Sequence, residues 1–386
     1  MTLRILHTAD WHLGRLFYGY HLTDDQAYLL DQFFAQLRDS RPDVVIMAGD
    51  LYDRAVPPSE AVALLDETLC RLAADFPGVC VFIAGNHDSA ERVGFASRLL
   101  EESGLYIRGR WSSDATPIAV PGGDGRWQVA AIPFLEPMQL RATGLGEGIT
   151  DQAAAMEAVV NHVATRDDFR AGRTIGVAHC AVTAGARSES ERPLAIGGSE
   201  TMEPGVFAPF VYTALGHLHC SQSFLDGRVA YSGSLMKYSF SEIGQTKGNR
   251  LVELGEDGAV RSEFLPLSPR RDLRRLTGRL DDLLSAADIG SREDFVVARL
   301  TDEGMLLDAM ARLRECYPNA VQLELEFLER ELGAGGGSQQ LRGMGEPALL
   351  RAFFEQAVGR ELSDRQMDVY TEVVEKLRRT EREAGA

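Results

Sequence analysis

The hydrophobic pattern of the first 265 residues alternates between two periods. Unbroken apolar runs end in polar clusters: Leu3–Leu6 leads into His7-Thr-Ala-Asp10, Val44–Met47 into Ala48-Gly-Asp50, and Val79–Ile83 into Ala84-Gly-Asn-His-Asp88. Two more runs follow, Thr174–Ala178 into His179 and Val211–Leu215 into Gly216-His-Leu-His219. Short Val/Ile/Leu runs of this kind predict strands buried on both faces. Helical periods lie between them. Gln26–Leu37 places Tyr28, Leu29, Phe33 and Leu37 on roughly one face. Ser59–Ala73 does the same with Val62, Leu65, Leu69 and Leu72, with Ser59 as the expected N-cap after Pro57-Pro58. The pattern predicts an α/β domain over residues 1–265. Its strands deliver polar residues at their C-terminal ends, where α/β sheets usually bind ligands. Pro121–Trp127 and Gly185–Pro204 read as long loops, the second placed to border such a site.

After residue 265 the pattern changes. Residues 266–332 predict a small α+β cap. Leu273–Ser285 has helical spacing, Phe295–Leu300 and Val321–Phe327 alternate like strands, and Leu306–Arg314 is helical between them. Arg270, Arg271, Arg274, Arg275 and Arg279 cluster there, as a solvated face or as a contact to a phosphate backbone. Residues 333–345, rich in Gly, read as a flexible linker. Residues 346–386 predict a pair of amphipathic helices. The first begins at Pro347 with Leu349, Leu350, Phe353, Phe354 and Val358 as its stripe. The second is opened by a Ser363/Gln366 capping box and carries Met367, Tyr370, Val373, Val374 and Leu377. A tethered pair can cover its stripes on its own body or on a partner, and the linker favours a partner.

Composition narrows the classes. The 386 residues are 45% hydrophobic and 25% charged, which suits a globular protein of two or three domains. No run of about 18 apolar residues predicts a transmembrane helix. The first residues have no apolar h-region of a signal peptide, so the expected compartment is the cytoplasm. Five scattered cysteines read as reduced thiols, not as a disulfide framework. A net charge of −17 argues against a protein that coats nucleic acid through a broad basic surface. It leaves a nuclease open, because cations in a cleft supply local positive charge.

The candidate chemistry lies in the polar clusters. Asp10-x-His12, Gly49-Asp50-x-x-Asp53, Gly85-Asn86-His87-Asp88, His179 and Gly216-His217-x-His219 are each weak signals alone. Taken in order at strand ends they are specific, and five of the eight histidines fall within them. Carboxylate, imidazole and amide oxygen suit hard-to-borderline divalent metals such as Mn²⁺, Mg²⁺, Fe²⁺ or Zn²⁺. A shared carboxylate can bridge two ions about 3.5–4 Å apart, which is an arrangement for phosphoryl chemistry. His7, His21 and His162 lack motif support and read as structural, and Trp11 and Tyr52 as packing residues. Phe17, Tyr18 and Tyr20, in the loop bearing Arg15, are loop packing or a stacking surface for bases.

This order of motifs resembles the calcineurin-like metallophosphoesterases. The strings Ile5-Leu-His-Thr-Ala-Asp-Trp-His-Leu-Gly14, Ala48-Gly-Asp-Leu-Tyr-Asp53, Ala84-Gly-Asn-His-Asp-Ser89, Ala214-Leu-Gly-His-Leu-His219 and Tyr231-Ser-Gly-Ser234 are similar to the SbcD-type DNA exonucleases of that superfamily. The resemblance covers roughly residues 1–265 and implies a four-layer α-β-β-α sandwich. It implies Asp10, His12, Asp50 and His219 around one ion, and Asp50, Asn86, His179 and His217 around a second, with Mn²⁺ the expected metal. His87 would face the scissile phosphate as a catalytic group, and Asp88 would orient it. Asp53 stands where some relatives carry a second catalytic histidine, and reads as a structural carboxylate. The family further implies a homodimer, DNA as substrate, and an SbcC-like ATPase bound through the last helices. Exonuclease and hairpin-opening endonuclease activity in DNA repair, recombination and replication follows from it. The rivals are a small-molecule phosphodiesterase or phosphatase on the same site, and an inactive metal-folded scaffold.

Overall fold

The structure is a computed structural model that describes residues 2–121, 126–141, 143–194, 200–285, 292–303, 306–327, 347, 350–351, 354 and 361–384. It divides into two compact units, Met1–Arg275 with Ala287–Val297 and Arg314–Gln322, and Leu276–Ala286 with Ala298–Leu313 and Leu323–Ala386.

Two six-stranded sheets make the body of the first unit. One has the order Val260–Pro266, Gly248–Leu254, Leu3–Thr8, Val44–Met47, Val79–Ile83, Leu105–Arg108. Its last four strands are parallel and the other two antiparallel. The other has the order Gln222–Phe224, Val229–Tyr231, Tyr212–Gly216, Thr174–His179, Trp127–Ile132, Ile118–Val120, parallel except at its two edges.

The unbroken apolar runs are explained by where alternate side chains go. Ile5, Val44, Ile46, Val79, Val81 and Ile83 point into a core shared with Val129, Ile175, Val177, Tyr212 and Ala214 of the second sheet. Leu6, Val45, Met47, Cys80 and Phe82 point the opposite way, onto the helices Thr23–Ser40 and Ser59–Asp75. Ala130, Ile132, Ala178 and Leu215 likewise meet the helix Gln152–Ala164 on the outer side of the second sheet. Period-two strands buried on both faces give the four layers α-β-β-α.

Some local expectations shift. In the helix Ser59–Asp75 the buried residues are Ala61, Leu65, Thr68 and Leu72, and Val62 is exposed. The N-cap is the extended Pro58, whose carbonyl accepts from Ala61 and Val62 N–H, so Ser59 is already helical and caps nothing. Tyr28 is exposed as well, while Leu29, Leu30, Phe33, Phe34 and Leu37 are buried. Leu273–Gly278 is a strand and only Leu280–Ser285 is helical. Its alternating burial decides the outcome over a helical spacing that so short a window cannot distinguish. That strand, Phe295–Leu300 and Ala320–Leu325 form a three-stranded sheet, and Ala309–Cys316 is a helix.

In the second unit, the helix Asp364–Ala384 opens on the capping box. Ser363 N–H donates to Gln366 Oε1 at 3.1 Å, and Gln366 N–H to Ser363 Oγ at 3.4 Å. The linker expected at 333–345 and most of the helix expected from 347 lie outside the described residues. No described helix is long and apolar enough to cross a membrane.

Candidate metal centre

The parallel strands Leu3–Thr8, Val44–Met47 and Val79–Ile83 end at the same edge, and the motif residues follow immediately. The chain turns there but stays paired. Asp10 N–H donates to Gly49 O, His12 N–H to Asp50 O and Leu13 N–H to Leu51 O, at 2.9–3.0 Å. This zipper places Asp10 and His12 beside Asp50. The turns need left-handed backbone at non-glycine residues: φ is 52° at Asp10, 46° at His12, 54° at Asp50 and 103° at His217. Such strain persists only where the surroundings fix it, and it concentrates at functional sites. Gly85 is required for another reason. A Cβ there would collide with the Asp50 carboxylate and amide.

All seven expected ligand residues converge. Asp50 Oδ2 stands 3.7 Å from His12 Nε2, 3.4 Å from His179 Nε2 and 3.9 Å from His87 Nε2. On one side, Asn86 Oδ1 is 2.9 Å from His179 Nε2 and 3.2 Å from His217 Nδ1. On the other, His12 Nε2 is 3.1 Å from His219 Nε2. Asp10 accepts the His217 backbone N–H at 2.9 Å and groups with His12 and His219 as possible metal donors, and also with Asp50 and His179. Asp10, His12, Asp50, His87, His179, His217 and His219 are all buried.

Burial and charge set the proton balance. Burial pushes the Asp10 carboxyl up to about 7, against the pull of His179 and His219. Burial works the same way on Asp50, but the His179 imidazolium outweighs it and holds that carboxyl well below its ordinary range. Burial alone would lower His179, yet the Asp50 carboxylate lifts it to about 9. His12 and His217 are lowered, chiefly by burial. One buried cluster of carboxylates and imidazoles thus competes for protons. Divalent cations would satisfy the same lone pairs together, and no thiolate is among them. Two nitrogen donors about 2.1 Å from one ion at a right angle would stand about 3 Å apart, close to the His12–His219 separation. The residues present therefore fit a metal centre.

The motif histidines have supports that differ. The His179 Nδ1–H donates to Ala48 O at 2.9 Å, which leaves Nε2 for the site. The His87 ring is held by Asp53, whose backbone carbonyl lies 2.7 Å from Nδ1. This corrects the expectation that Asp88 orients His87. The Asp88 carboxylate instead accepts three backbone N–H groups, from Leu51 (3.1 Å), Tyr52 (2.9 Å) and Gly85 (2.9 Å). It ties two motif turns together, because a short acceptor at that position reaches backbone donors before it reaches the ring. The Asp53 side chain pairs with Arg15 at 2.9 Å.

The remaining expectations are placed as follows. His7 is buried between Tyr212 OH (2.9 Å) and Leu215 O (3.2 Å), His162 Nε2 lies 2.9 Å from Ser113 O, and His21 is exposed. Trp11 packs edge-on to Phe33 and Phe82, and Tyr52 is buried. Phe17 is buried against Tyr18, Phe240 and Phe295, which is loop packing, while Tyr18 stays exposed. Arg271 pairs with Asp25, Arg274 with Asp294 and Arg279 with Asp302.

Sequence reasoning missed Ser190, Glu242 and Lys247, which surround His219 from behind. Only the placement of Ser190 in the loop expected to border the site pointed toward them.

A double-sheet sandwich with this donor set at its strand ends defines a metal-dependent phosphoesterase. Residues 3–136 match the family model described as calcineurin-like phosphoesterase, a family that uses a dimetal site. Residues 269–358 match the SbcD C-terminal model, described as the type 5 capsule protein repressor C-terminal domain. With both matches, the chain belongs to the metallophosphoesterase superfamily as an SbcD-type member. Among solved structures, TT1561 of Thermus thermophilus is 13% identical, over 68% of this chain and 99% of its own, with a TM-score of 0.37. A dimetal phosphatase from Danio rerio is 14% identical over 69% and 99%, with a TM-score of 0.40.

Proposed function

We propose that this chain is the nuclease subunit of an SbcC–SbcD-like DNA-processing complex of the cytoplasm. It hydrolyses DNA phosphodiesters, as an exonuclease on duplex ends and an endonuclease on hairpins. The observation that carries this reading is the gathering of Asp10, His12, Asp50, Asn86, His179, His217 and His219 into one cluster, in which His12 and His179 both face Asp50 Oδ2, in a chain with an SbcD-type C-terminal match.

Asp10, His12, Asp50 and His219 would hold one ion, and Asp50, Asn86, His179 and His217 a second, with Mn²⁺ the proposed metal. Bound there, such ions would supply the charge that polarises a phosphodiester and lowers the pKa of water toward neutrality. The chain's own residues supply the rest. Asp50 presents one oxygen to both groups of donors, while its other oxygen accepts the His87 N–H at 2.8 Å and cannot swing away. His87, fixed at Nδ1 by Asp53 O, directs Nε2 into the site, where it would stabilise the phosphate or protonate the leaving oxygen. A general acid is worth about 10²–10⁴-fold. The helix Asp364–Ala384 leaves Val369 and Val373, one turn apart, exposed. That favours residues 346–386 as the docking segment for an SbcC-like ATPase. The chain works as a homodimer on DNA.

The test is cleavage by the purified full chain of linear duplex DNA, hairpin DNA and a small chromogenic diester, with and without Mn²⁺. Mn²⁺-dependent cleavage of both DNAs, lost in His87→Ala, is expected. Hydrolysis of the chromogenic diester alone would assign the site to a small-molecule phosphodiesterase.

A further inference from the structure

Glu242 is wholly buried and lies behind His219, away from the convergent donors. Its carboxylate accepts from Ser188 Oγ (3.0 Å), Ser239 Oγ (3.2 Å), the Tyr238 N–H (3.1 Å) and Ser190 Oγ, and pairs with Lys247 Nζ at 2.8 Å. Ser190 Oγ also lies 2.6 Å from His219 Nδ1. A carboxylate can only accept, so the Ser190 proton points at Glu242. The Ser190 oxygen is then the acceptor for a proton on His219 Nδ1. Nε2 is left with its lone pair toward the site, facing His12 Nε2.

The backbone of His219 is fixed by neighbours of the same network. Its N–H donates to Glu191 Oε1 at 2.8 Å, and its carbonyl accepts from Lys247 Nζ at 2.7 Å. The contrast with His179 is informative. There a main-chain carbonyl performs the same service. At His219 the service is built from the side chains of Ser190 and Glu242, 29 and 23 residues away in sequence. Partners on the far nitrogen of a metal-ligating histidine set its tautomer and basicity.

We propose that Glu242, acting through Ser190, is a positioning residue that fixes His219 as the Nδ1–H tautomer and presents Nε2 to the metal centre. The inference rests on the dimetal reading above, but its first test does not need a metal. The full chain is labelled with ¹⁵N-histidine and its imidazole spectra are recorded without metal at alkaline pH. The expected result is His219 protonated at Nδ1, moving toward Nε2–H in Ser190→Ala and in Glu242→Gln, and unmoved in Ser190→Thr, which keeps the hydroxyl. A wild-type His219 protonated at Nε2, or a tautomer insensitive to both changes, would overturn the proposal. The second readout is calorimetric titration with Mn²⁺. Ser190→Ala is expected to weaken one of two ions by about 10–100-fold, with Ser190→Thr restoring it and the melting temperature little changed. Equal weakening of both ions together with a lower melting temperature would mark a merely structural role and refute the claim. A wild-type chain with the expected tautomer but no bound Mn²⁺ would instead refute the dimetal reading.

Discussion

The two halves of the candidate centre are held by different means. The half made by Asn86, His179 and His217 leans on main-chain groups: His179 donates to the Ala48 carbonyl, and the adjoining turns are tied by three main-chain amides that meet at Asp88. The half made by His12 and His219 leans on side chains. Gln26 Nε2 donates to the Trp11 and His12 carbonyls at 3.1 and 2.8 Å, Tyr238 OH bonds the Trp11 carbonyl, and Ser190, Glu242 and Lys247 brace His219. Main-chain supports come with the strands and cost no extra ordering. Side-chain supports must order long side chains and bury charge, so single substitutions reach them more readily.

The largest expected effect breaks the side-chain half. Lys247→Met removes one partner of a buried ion pair and leaves Glu242 uncompensated, which should cost about 3–5 kcal/mol. Urea unfolding of the full chain measures it, and a loss below about 1 kcal/mol, the value of an exposed pair, would deny the brace its importance. Breaking the main-chain half comes next. Asp88→Ala orphans three N–H donors, each worth about 1–3 kcal/mol when unsatisfied. Because Asp88 is half-buried, water relieves some of them, and a net loss of about 3 kcal/mol is expected in the same experiment. Activity should fall with it, because the turns bearing Asp50 and Asn86 come apart.

The smallest effect sharpens the comparison by touching neither half. His7 lies between the two sheets, and burial lowers its pKa to about 3. The unfolded chain takes up this proton near 6.5, so between those values the unfolded state binds more protons. Stability is therefore lost as the pH falls below 6.5, and the loss is complete near 3. At pH 5 the single group accounts for about 2 kcal/mol. His7→Gln, which keeps hydrogen bonding but does not titrate, should lose correspondingly less stability between pH 7 and pH 5. An unchanged pH slope would assign the acid sensitivity to other groups.

The same contrast explains what could be read from the sequence. The strand ends and the polar clusters that follow them are read from the unbroken apolar runs and the motifs, while the four-layer sandwich and the division of the ligands are implied by the resemblance those motifs carry. The runs and motifs are local or repeat at a fixed spacing. The helix faces were legible only approximately. Val62 and Tyr28 lie at the margins of their apolar arcs, and residues 273–278 show that a six-residue window fits two periods. Ser190, Glu242 and Lys247 were not legible, since contacts between polar residues tens of positions apart leave no period and no motif. The support of His87 was misread for a related reason. A backbone carbonyl, at Asp53, has no side-chain signature.

The central claim, that Asp50 is shared by two cations, is tested most directly by Mn²⁺ titration of the full chain followed by electron paramagnetic resonance, beside Asp50→Ala. Two ions per chain with an exchange-coupled spectrum, and loss of that coupling or of both ions in the variant, are predicted. Saturation at one ion, or two ions whose spectra are uncoupled and indifferent to Asp50, would contradict it.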